Sequence, residues 1–206
     1  MKLAVFDFDS TLMDGETIDL LARAYGVENE VSIITKAAMN GELDFNQSLK
    51  KRVATLKGMS VQSVCEVCEN LSYIKGAKEL IYALKQKDYK VVVFSGGFDE
   101  GVSAGKKALG FDAFFSNSLH KDGSVLSGEV GGEMMFGYSK GRMLEKLQML
   151  LGVNAKNTIV VGDGANDVSM FPYAEKKVAF CGKEILRAAA NIIVDKKDLT
   201  EIIAYI

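Results

Sequence analysis

Short apolar runs alternate with helical patterns along most of the chain. The runs that predict strands are residues 3–6, 89–94, 158–161, 178–180 and 192–194. The patterns that predict helices between them are residues 76–87, a segment ending near Leu109, residues 139–151 and the C-terminal residues. Strands that are apolar at successive positions are buried on both faces, which is typical of a parallel sheet covered by helices. The sequence therefore predicts an α/β protein with a Rossmann-like parallel sheet.

Two segments depart from this alternation. Residues 14–72 contain several helical patterns and no strand pattern. We therefore expect an all-helical cap domain (14–72) inserted into an α/β core domain (1–13 and 73–206). Residues 114–119 and 124–130 flank Asp122-Gly123, a dipeptide that favours the positive φ angles of a tight turn. This second segment predicts a small β-hairpin.

The composition excludes several classes of protein. The chain has 206 residues with 25 Lys and Arg against 27 Asp and Glu, a balance that offers no basic surface for nucleic acid. No apolar run approaches the ~18–20 residues that cross a membrane. Three cysteines, an odd number, and no export signal favour reduced thiols in a cytoplasmic protein. Cys65 and Cys68 lie in a polar helical pattern with no second pair, so a redox or zinc role is not favoured.

The single histidine limits the chemistry further. His120 alone cannot build a zinc site with two or three imidazole ligands. Its place just before the hairpin turn favours an exposed position. Catalysis is therefore expected to depend on carboxylates, hydroxyls, Lys or Cys.

Three predicted strands end in polar groups. Asp7 and Asp9 follow the first strand, Ser95-Gly96-Gly97 the second, and Asp163 and Asp167 a third. At each position the alternative is a plain turn or helix cap, for which Asp, Ser and Gly are the ordinary residues. Ligands of open parallel sheets bind outside the carboxyl ends of the strands, so the three groups together predict one site.

The acids of this site predict a metal ion. Asp7 and Asp9 point to the same side of a strand unless the strand has already ended, and the pKa of one is then raised by the other. With Asp163 and Asp167 they make a group in which each pair about 4 Å apart repels by ~4 kcal/mol at an effective dielectric near 20. Ligands that are all oxygen favour a hard cation, and we expect Mg²⁺. Ser95-Gly96-Gly97, with a hydroxyl and bare N–H groups at a helix start, predicts an anion site.

Several motifs resemble those of the haloacid-dehalogenase-like phosphatases, in order, with the family's spacing and over nearly the whole chain. They are Asp7-Phe-Asp9-Ser-Thr11, Glu16-Thr-Ile-Asp19, Phe45-Asn-Gln-Ser-Leu-Lys-Lys-Arg52, Ser95-Gly-Gly-Phe98, Lys140 and Gly162-Asp163-Gly-Ala-Asn166-Asp167. The resemblance implies the fold of that family. It also implies Mg²⁺-dependent hydrolysis of a phosphate monoester. The match is closer than that of the family as a whole, and this closer resemblance implies O-phospho-L-serine as the substrate, in the last step of serine biosynthesis.

The same resemblance implies a role for each motif residue. Asp7 is expected to be the nucleophile that forms an aspartyl-phosphate, and Asp9 the general acid and then the general base. The metal is expected to bind the side chains of Asp7 and Asp163 and the backbone carbonyl of Asp9, with Asp167 supporting. The groups expected to hold the phosphoryl oxygens are Ser95, Gly96 and Lys140. By its local sequence alone, Lys140 is an exposed lysine at a helix start.

Three further residues are expected to bind the rest of the substrate. Asp44 and Gln47 predict a capping box that opens a helix, and Arg52 falls on the side of its apolar stripe. Arg52 is thus either a substrate ligand or an edge residue that reaches solvent. The resemblance implies that Arg52 binds the carboxylate and Glu16 the ammonium group, although helical periodicity turns Glu16 towards solvent. Asn166 is expected at the substrate or at a helix N-cap.

Two other functions stay open. One is a related phosphatase or phosphotransferase that acts on another small phosphorylated metabolite. The other, more remote, is a phospho-accepting signalling domain, which also combines a Mg²⁺ site with a phosphorylated Asp. Asp9 and the helical insertion disfavour it, because a signalling switch needs neither. We expect a small-molecule substrate, no nucleic-acid or membrane partner, and a monomer or homodimer.

Overall fold

One β-sheet forms the centre of the protein, and the computed structural model describes the whole chain, residues 1–206. The strands are β1 (Lys2–Phe6), β2 (Tyr89–Phe98), β3 (Ala113–Asp122), β4 (Val125–Gly132), β5 (Thr158–Gly162), β6 (Lys176–Phe180) and β7 (Ile192–Val194). Their order is β4-β3-β2-β1-β5-β6-β7, and every neighbouring pair is parallel except β3 and β4. The predicted parallel sheet and the hairpin at its edge are confirmed.

Helices cover the sheet and fill the segment that was free of strand patterns. The α-helices are α1 (Thr17–Tyr25), α2 (Glu28–Met39), α3 (Phe45–Ala54), α4 (Val61–Glu69), α5 (Ala77–Gln86), α6 (Asp99–Leu109), α7 (Ser139–Leu151) and α8 (Glu184–Ala189). The 3₁₀ helices are Ala155–Asn157, Ala165–Tyr173 and Leu199–Tyr205. Helices α1 to α4 lie within the predicted cap, whereas its division from the core stays a prediction. None of the helices is both long enough and apolar enough to cross a membrane.

Alternate residues of the central strands face two separate apolar cores. In β1, Ala4 and Phe6 join a cluster with α5, α6 and the C-terminal 3₁₀ helix, whereas Leu3 and Val5 join a cluster with α7 and α8. All four side chains are fully buried. Burial on both faces explains why the strand is apolar at successive positions.

A third apolar cluster joins the N-terminal helices to the hairpin edge of the sheet. Leu21 of α1 and Leu49 of α3 pack with Leu126 of β4. The predicted capping box begins α3, because the Asp44 side chain accepts from the Gln47 N–H at 2.8 Å and the Gln47 side chain accepts from the Asp44 N–H at 3.2 Å. This packing fixes α2 and α3 beside the carboxyl end of β2.

The strand prediction is wrong at Ser95-Gly96-Gly97, where β2 was expected to break. The structure continues β2 through these residues to Phe98, and α6 begins only at Asp99. The register with β3 shifts between Phe94 and Phe98, so the glycines form an irregular stretch inside the strand. Phe98 is almost fully buried, and its packing keeps the chain extended past the glycines. Their N–H groups therefore belong to a strand end and not to the first turn of a helix.

Candidate active site

The carboxyl ends of β1, β2 and β5 meet helices α1, α2 and α3 around one cavity of about 560 Å³. The predicted site residues that line it are Asp7, Asp9, Glu16, Arg52, Gly96, Asp163 and Asn166. Ser95, Lys140 and Asp167 lie behind this lining, and all three are buried. The structure thus brings the residues of every predicted motif to one place.

Three carboxylates converge where β1 and β5 end. One oxygen from each of Asp7, Asp163 and Asp167 lies within 4.8 Å of the others. Lys140, in the first turn of α7, places its Nζ 2.7 Å from Asp7 Oδ1 and 2.6 Å from Asp167 Oδ1. Its side chain is only 2 % exposed, so the exposed position expected from the local sequence is wrong. Burial disfavours the ammonium form, but the Asp167 and Asp7 carboxylates outweigh burial and raise the pKa of Lys140.

This cluster carries more negative than positive charge. Burial raises the pKa of Asp7 well above its usual range, with Asp167 adding to the shift and Lys140 opposing it. Burial and Asp167 likewise raise the pKa of Asp163 to about 6. One ammonium group does not balance the carboxylates of Asp7 and Asp167, which are buried, and of Asp163, which is partly buried, and a divalent cation would remove the remaining repulsion. Carboxylate oxygens without sulfur or imidazole suit a hard cation, and no other group of three metal-ligating side chains occurs in the chain.

Asp9 turns its carboxylate away from the cluster. Its Oδ1 accepts hydrogen bonds from the Thr17 hydroxyl at 2.6 Å and from the Thr17 N–H at 3.2 Å, at the start of α1. Burial and the Glu16 carboxylate raise the pKa of Asp9 to about 7. β1 already ends at Phe6, which is the exception that the sequence left open, so Asp7 and Asp9 do not share a strand face. The neighbouring charge that most raises the pKa of Asp7 is Asp167, and the one that raises the pKa of Asp9 is Glu16. Neither of the two acids raises the pKa of the other.

The end of β2 passes close to Asp9. An added Cβ on Gly97 would lie 2.5 Å from Asp9 Oδ2, so any side chain at this position must displace the Asp9 carboxylate. The Gly97 N–H donates to the Ser95 hydroxyl at 2.9 Å, which leaves the hydroxyl proton of Ser95 free to be donated. A Cβ on Gly96 would lie 2.8 Å from the Phe45 ring, so this glycine faces α3. The strand end therefore offers hydroxyl and backbone donors between Asp9 and the helical segment.

Sequence reasoning missed Asn117, a fully buried residue of β3. Its Nδ2 donates to the Gly96 carbonyl at 3.1 Å, and its Oδ1 accepts from the Met134 N–H at 3.0 Å. Asn117 therefore ties the end of β2 to the loop that leads into α7 and Lys140. A lone Asn in a strand pattern carries no sequence signal for this role, because only the pairing of β3 with β2 brings it to the site.

Asp167 holds together the loop that follows β5. Its Oδ2 accepts from the N–H groups of Asp163 and Gly164, each at 3.0 Å, while its Oδ1 accepts from Lys140. A Cβ on Gly162 would lie 2.3 Å from Asp167 Oδ2, so the close approach requires glycine. Asp167 is wholly buried and organises the other acids from behind the cavity.

Glu16 and Arg52 reach the cavity from the helical segment. Glu16 immediately precedes α1 in an extended conformation and accepts a hydrogen bond from the Ser10 hydroxyl at 2.8 Å. The solvent-facing orientation derived from helical periodicity is wrong, because Glu16 lies outside the helix. Arg52 forms no ion pair, and its Nε is buried without a hydrogen-bond partner. Burial lowers the pKa of Arg52 despite the acids around it.

Asn166 lines the cavity, and its Nδ2 lies near Gly96. The cysteines and the histidine considered in the sequence analysis do not line the cavity. Cys65 is exposed and Cys68 is buried, and neither forms a disulfide. Burial raises the pKa of the Cys68 thiol to about 12, which is typical of an unreactive cysteine. His120 is exposed on the hairpin, as the sequence predicts.

Comparison with known proteins gives the family of this chain. The family model of the haloacid dehalogenase-like hydrolases matches residues 1–175. The chain is 63 % identical to the phosphoserine phosphatase of Wolinella succinogenes over 100 % of both chains. Two solved structures, a phospho-aspartyl intermediate analogue of phosphoserine phosphatase and a substrate-bound phosphoserine phosphatase complex, each match it with a TM-score of 0.94 and 48 % identity. Each match covers 100 % of this chain and 98 % of the solved one. The chain belongs to the haloacid dehalogenase-like hydrolases and, within them, to the phosphoserine phosphatase family.

Proposed function

We propose that this protein hydrolyses O-phospho-L-serine to L-serine and inorganic phosphate, the last step of serine biosynthesis. The observation that carries the proposal is one cavity that holds Asp7 at a strand end together with Glu16 and the unpaired Arg52. A carboxylate and a guanidinium complement the ammonium and carboxylate groups of an amino acid. The names of the relatives support the same substrate.

Asp7 and Asp9 divide the chemistry between them. A carboxylate oxygen of Asp7 attacks the phosphorus, and the bond from phosphorus to the serine oxygen breaks as Asp9 donates its proton to that oxygen. Asp9 then accepts a proton from a water molecule whose oxygen attacks the phosphorus and releases phosphate from Asp7. A pKa of about 7 suits Asp9 to both steps, since it holds and loses a proton near neutral pH.

Mg²⁺ is the cation that we assign to the acid cluster. Asp7 and Asp163 would bind it through their carboxylates and Asp9 through its backbone carbonyl, with Asp167 supporting. When bound, the ion would offset the repulsion among the acids and stabilise negative charge on the phosphoryl group. The carboxylates that already approach one another within 4.8 Å support this assignment.

Three groups hold the phosphoryl oxygens. The Ser95 hydroxyl and the Gly96 N–H donate from the end of β2, and Lys140 supplies a buried positive charge that its two carboxylate partners fix in place. Donors that are fixed and removed from water stabilise developing charge more strongly than solvent does. The burial of Ser95 and Lys140 supports their role.

We assign residues 14–72 to a cap domain and residues 1–13 and 73–206 to a core domain. The cap supplies Arg52 for the substrate carboxylate and Glu16 for the ammonium group, and Asn166 contacts the substrate from the core. Closure of the cap over the cavity excludes bulk water while the phosphoryl group is transferred. We place the enzyme in the cytoplasm, with a small-molecule substrate and no nucleic-acid or membrane partner, as a monomer or homodimer.

Phosphate release from a panel of substrates tests the proposal. With Mg²⁺ present, the protein should hydrolyse O-phospho-L-serine faster than phosphoethanolamine, phosphoglycerate or phosphothreonine. Asp7→Asn should abolish release. Arg52→Ala should raise the KM for O-phospho-L-serine by about tenfold or more, as expected for a lost bond to a charged group. Lys51→Ala, at the exposed neighbouring position of α3, is the control and should leave the KM for O-phospho-L-serine unchanged.

Other results favour the alternatives. Equal rates on phosphoethanolamine and O-phospho-L-serine would contradict a site built for both ends of an amino acid. A strong preference for another phosphate, or transfer of phosphate to an alcohol, would favour a related phosphatase or phosphotransferase. A long-lived aspartyl-phosphate without turnover would favour a phospho-accepting signalling domain.

A further inference from the structure

Two residues that line the cavity each carry a buried polar atom with no partner within the protein. Among the buried side-chain polar atoms that make no hydrogen bond, only Thr35 Oγ1 and Arg52 Nε belong to residues that line the cavity. Buried polar atoms are almost always hydrogen-bonded, so two unpaired ones in a binding cavity indicate groups that a ligand supplies. The proposed substrate carboxylate accounts for Arg52, whereas Thr35 has no role in the mechanism above.

Thr35 and Arg52 lie on neighbouring helices. Helices α2 and α3 pack together and are joined by the short segment 40–44, which makes them an antiparallel helical hairpin. Counting outwards from the middle of this connection places Thr35 level with Leu49, one turn before Arg52. Side chains of an α-helix lean towards its N-terminus, so Arg52 extends back towards the level of Leu49. The side chains of Thr35 and Arg52 therefore lie at similar levels along the helical hairpin, and both residues line the cavity.

The two unpaired atoms can donate to the same ligand. The Arg52 Nε–H is only a donor, and the Thr35 hydroxyl has one proton to donate. The acids of the cavity do not serve either atom, because no carboxylate forms an ion pair with Arg52 and neither Arg52 Nε nor Thr35 Oγ1 has a hydrogen-bond partner in the protein. A free carboxylate has two oxygens and accepts from both donors at once.

We propose that the Thr35 hydroxyl donates a hydrogen bond to the substrate carboxylate beside the Arg52 guanidinium. Thr35 thereby helps the enzyme to select phosphorylated amino acids over phosphorylated amines that lack a carboxylate. This inference rests on the proposed function. Because the hydroxyl acts at the end of the substrate far from the phosphorus, its loss weakens binding without changing the chemical step.

Steady-state kinetics with two substrates test this role. Thr35→Val keeps the shape and removes the hydroxyl, and it should raise the KM for O-phospho-L-serine by about tenfold, as for a lost hydrogen bond to a charged group. Its kcat should stay within about twofold of the wild type. Thr35→Ser keeps the hydroxyl and should retain the wild-type KM. Ser32→Ala, on the exposed face of the same helix, controls for changes in α2 and should alter neither constant.

Phosphoethanolamine, which lacks the carboxylate, provides the discriminating measurement. Its KM, or its KI as a competitor, should be the same for the wild type and Thr35→Val. In the substrate-free protein the hydroxyl is unpaired, so Thr35→Val should keep or raise the thermal midpoint. If the hydroxyl served only to stabilise the fold, its removal in Thr35→Val would lower the thermal midpoint instead.

Three results would overturn the proposal and leave the proposed function intact. The first is an unchanged KM for O-phospho-L-serine in Thr35→Val. The second is a rise in the KM for phosphoethanolamine equal to the rise for O-phospho-L-serine. The third is a thermal midpoint that drops in Thr35→Val but stays at the wild-type value in Thr35→Ser. If the wild type does not hydrolyse O-phospho-L-serine at all, the proposed function itself fails, and the role of Thr35 fails with it.

Discussion

Asp163→Asn should make the metal-free protein more stable, although it removes a residue of the site. In the absence of a cation, Asp163 lies within 4.8 Å of Asp7 and Asp167, and Lys140 pairs with the other two acids only. Asparagine has nearly the same shape as aspartate and carries no charge. The substitution therefore relieves repulsion and the cost of a partly buried charge without opening a cavity.

The size of the effect follows from the pKa of Asp163, which burial and Asp167 raise from 3.8 to about 6. One pKa unit corresponds to about 1.4 kcal/mol, so the ionised carboxylate lowers the free energy of unfolding by at most about 3 kcal/mol. Because the folded-state pKa is the higher one, this penalty is complete above pH ~6. It fades as the native protein takes up a proton between pH ~6 and ~4, and it is absent at lower pH. The partial exposure of Asp163 makes the figure an upper bound.

Urea unfolding in EDTA measures this effect directly. At pH 7.5 Asp163→Asn should be more stable than the wild type by up to ~3 kcal/mol, and at pH 4 the two should agree. Asp122→Asn, at an exposed acid of the hairpin, is the matched control and should change little. Added Mg²⁺ should then stabilise the wild type by mass action and the variant much less.

Two results would refute this account of the acid cluster. One is an Asp163→Asn variant that is less stable than the wild type in EDTA at pH 7.5. The other is equal stabilisation of both proteins by Mg²⁺, which would mean that Asp163 does not contribute to cation binding.

Three further substitutions probe the site and the fold. Gly97→Ala should lower kcat by about 100-fold or more because its Cβ displaces Asp9, whereas Gly137→Ala, with open space around its Cβ, should not. Asn117→Ala removes the side-chain partners of the buried Met134 N–H and of the part-buried Gly96 carbonyl, and it should lower the free energy of unfolding in urea by about 3 kcal/mol. Hydrogen bonds from a threonine and a lysine lower the pKa of Asp198. Asp198→Asn should therefore lower the thermal midpoint at pH 7, and the difference from the wild type should shrink as the pH falls below about 4.

The elements of the fold were predictable because burial leaves a direct mark on the sequence. Leu3 to Phe6 are apolar at every position because alternate side chains enter two different cores. The helix over Ser139–Leu151 was predicted with its observed bounds. The prediction failed at Ser95-Gly96-Gly97, because glycine permits both a turn and an irregular strand. The burial of Phe98, which the local pattern does not reveal, decides between them.

The convergence of the candidate site residues was predictable, but several of their interactions were not. Polar groups that end parallel strands must lie along one edge of the sheet, which is why Asp7, Ser95 and Asp163 come together. The direction of a side chain is not fixed by its spacing in the sequence once a strand has ended. Asp9 accordingly accepts a hydrogen bond from Thr17 and does not lie beside the Asp7 carboxylate. Burial of a charged side chain against partners distant in sequence, as in Lys140, is likewise invisible in a local pattern.

Rapid-quench labelling tests the central claim, that Asp7 carries the phosphoryl group from O-phospho-L-serine to water. Protein is mixed with O-phospho-L-serine that is radiolabelled in its phosphoryl group and is quenched in acid within one turnover. The protein should then carry the label, and the label should leave the protein at the rate of phosphate release. Asp7→Asn, which keeps the shape of the side chain, should carry no label and release no phosphate. Phosphate release by the wild type without labelled protein, or labelling of Asp7→Asn, would contradict the account.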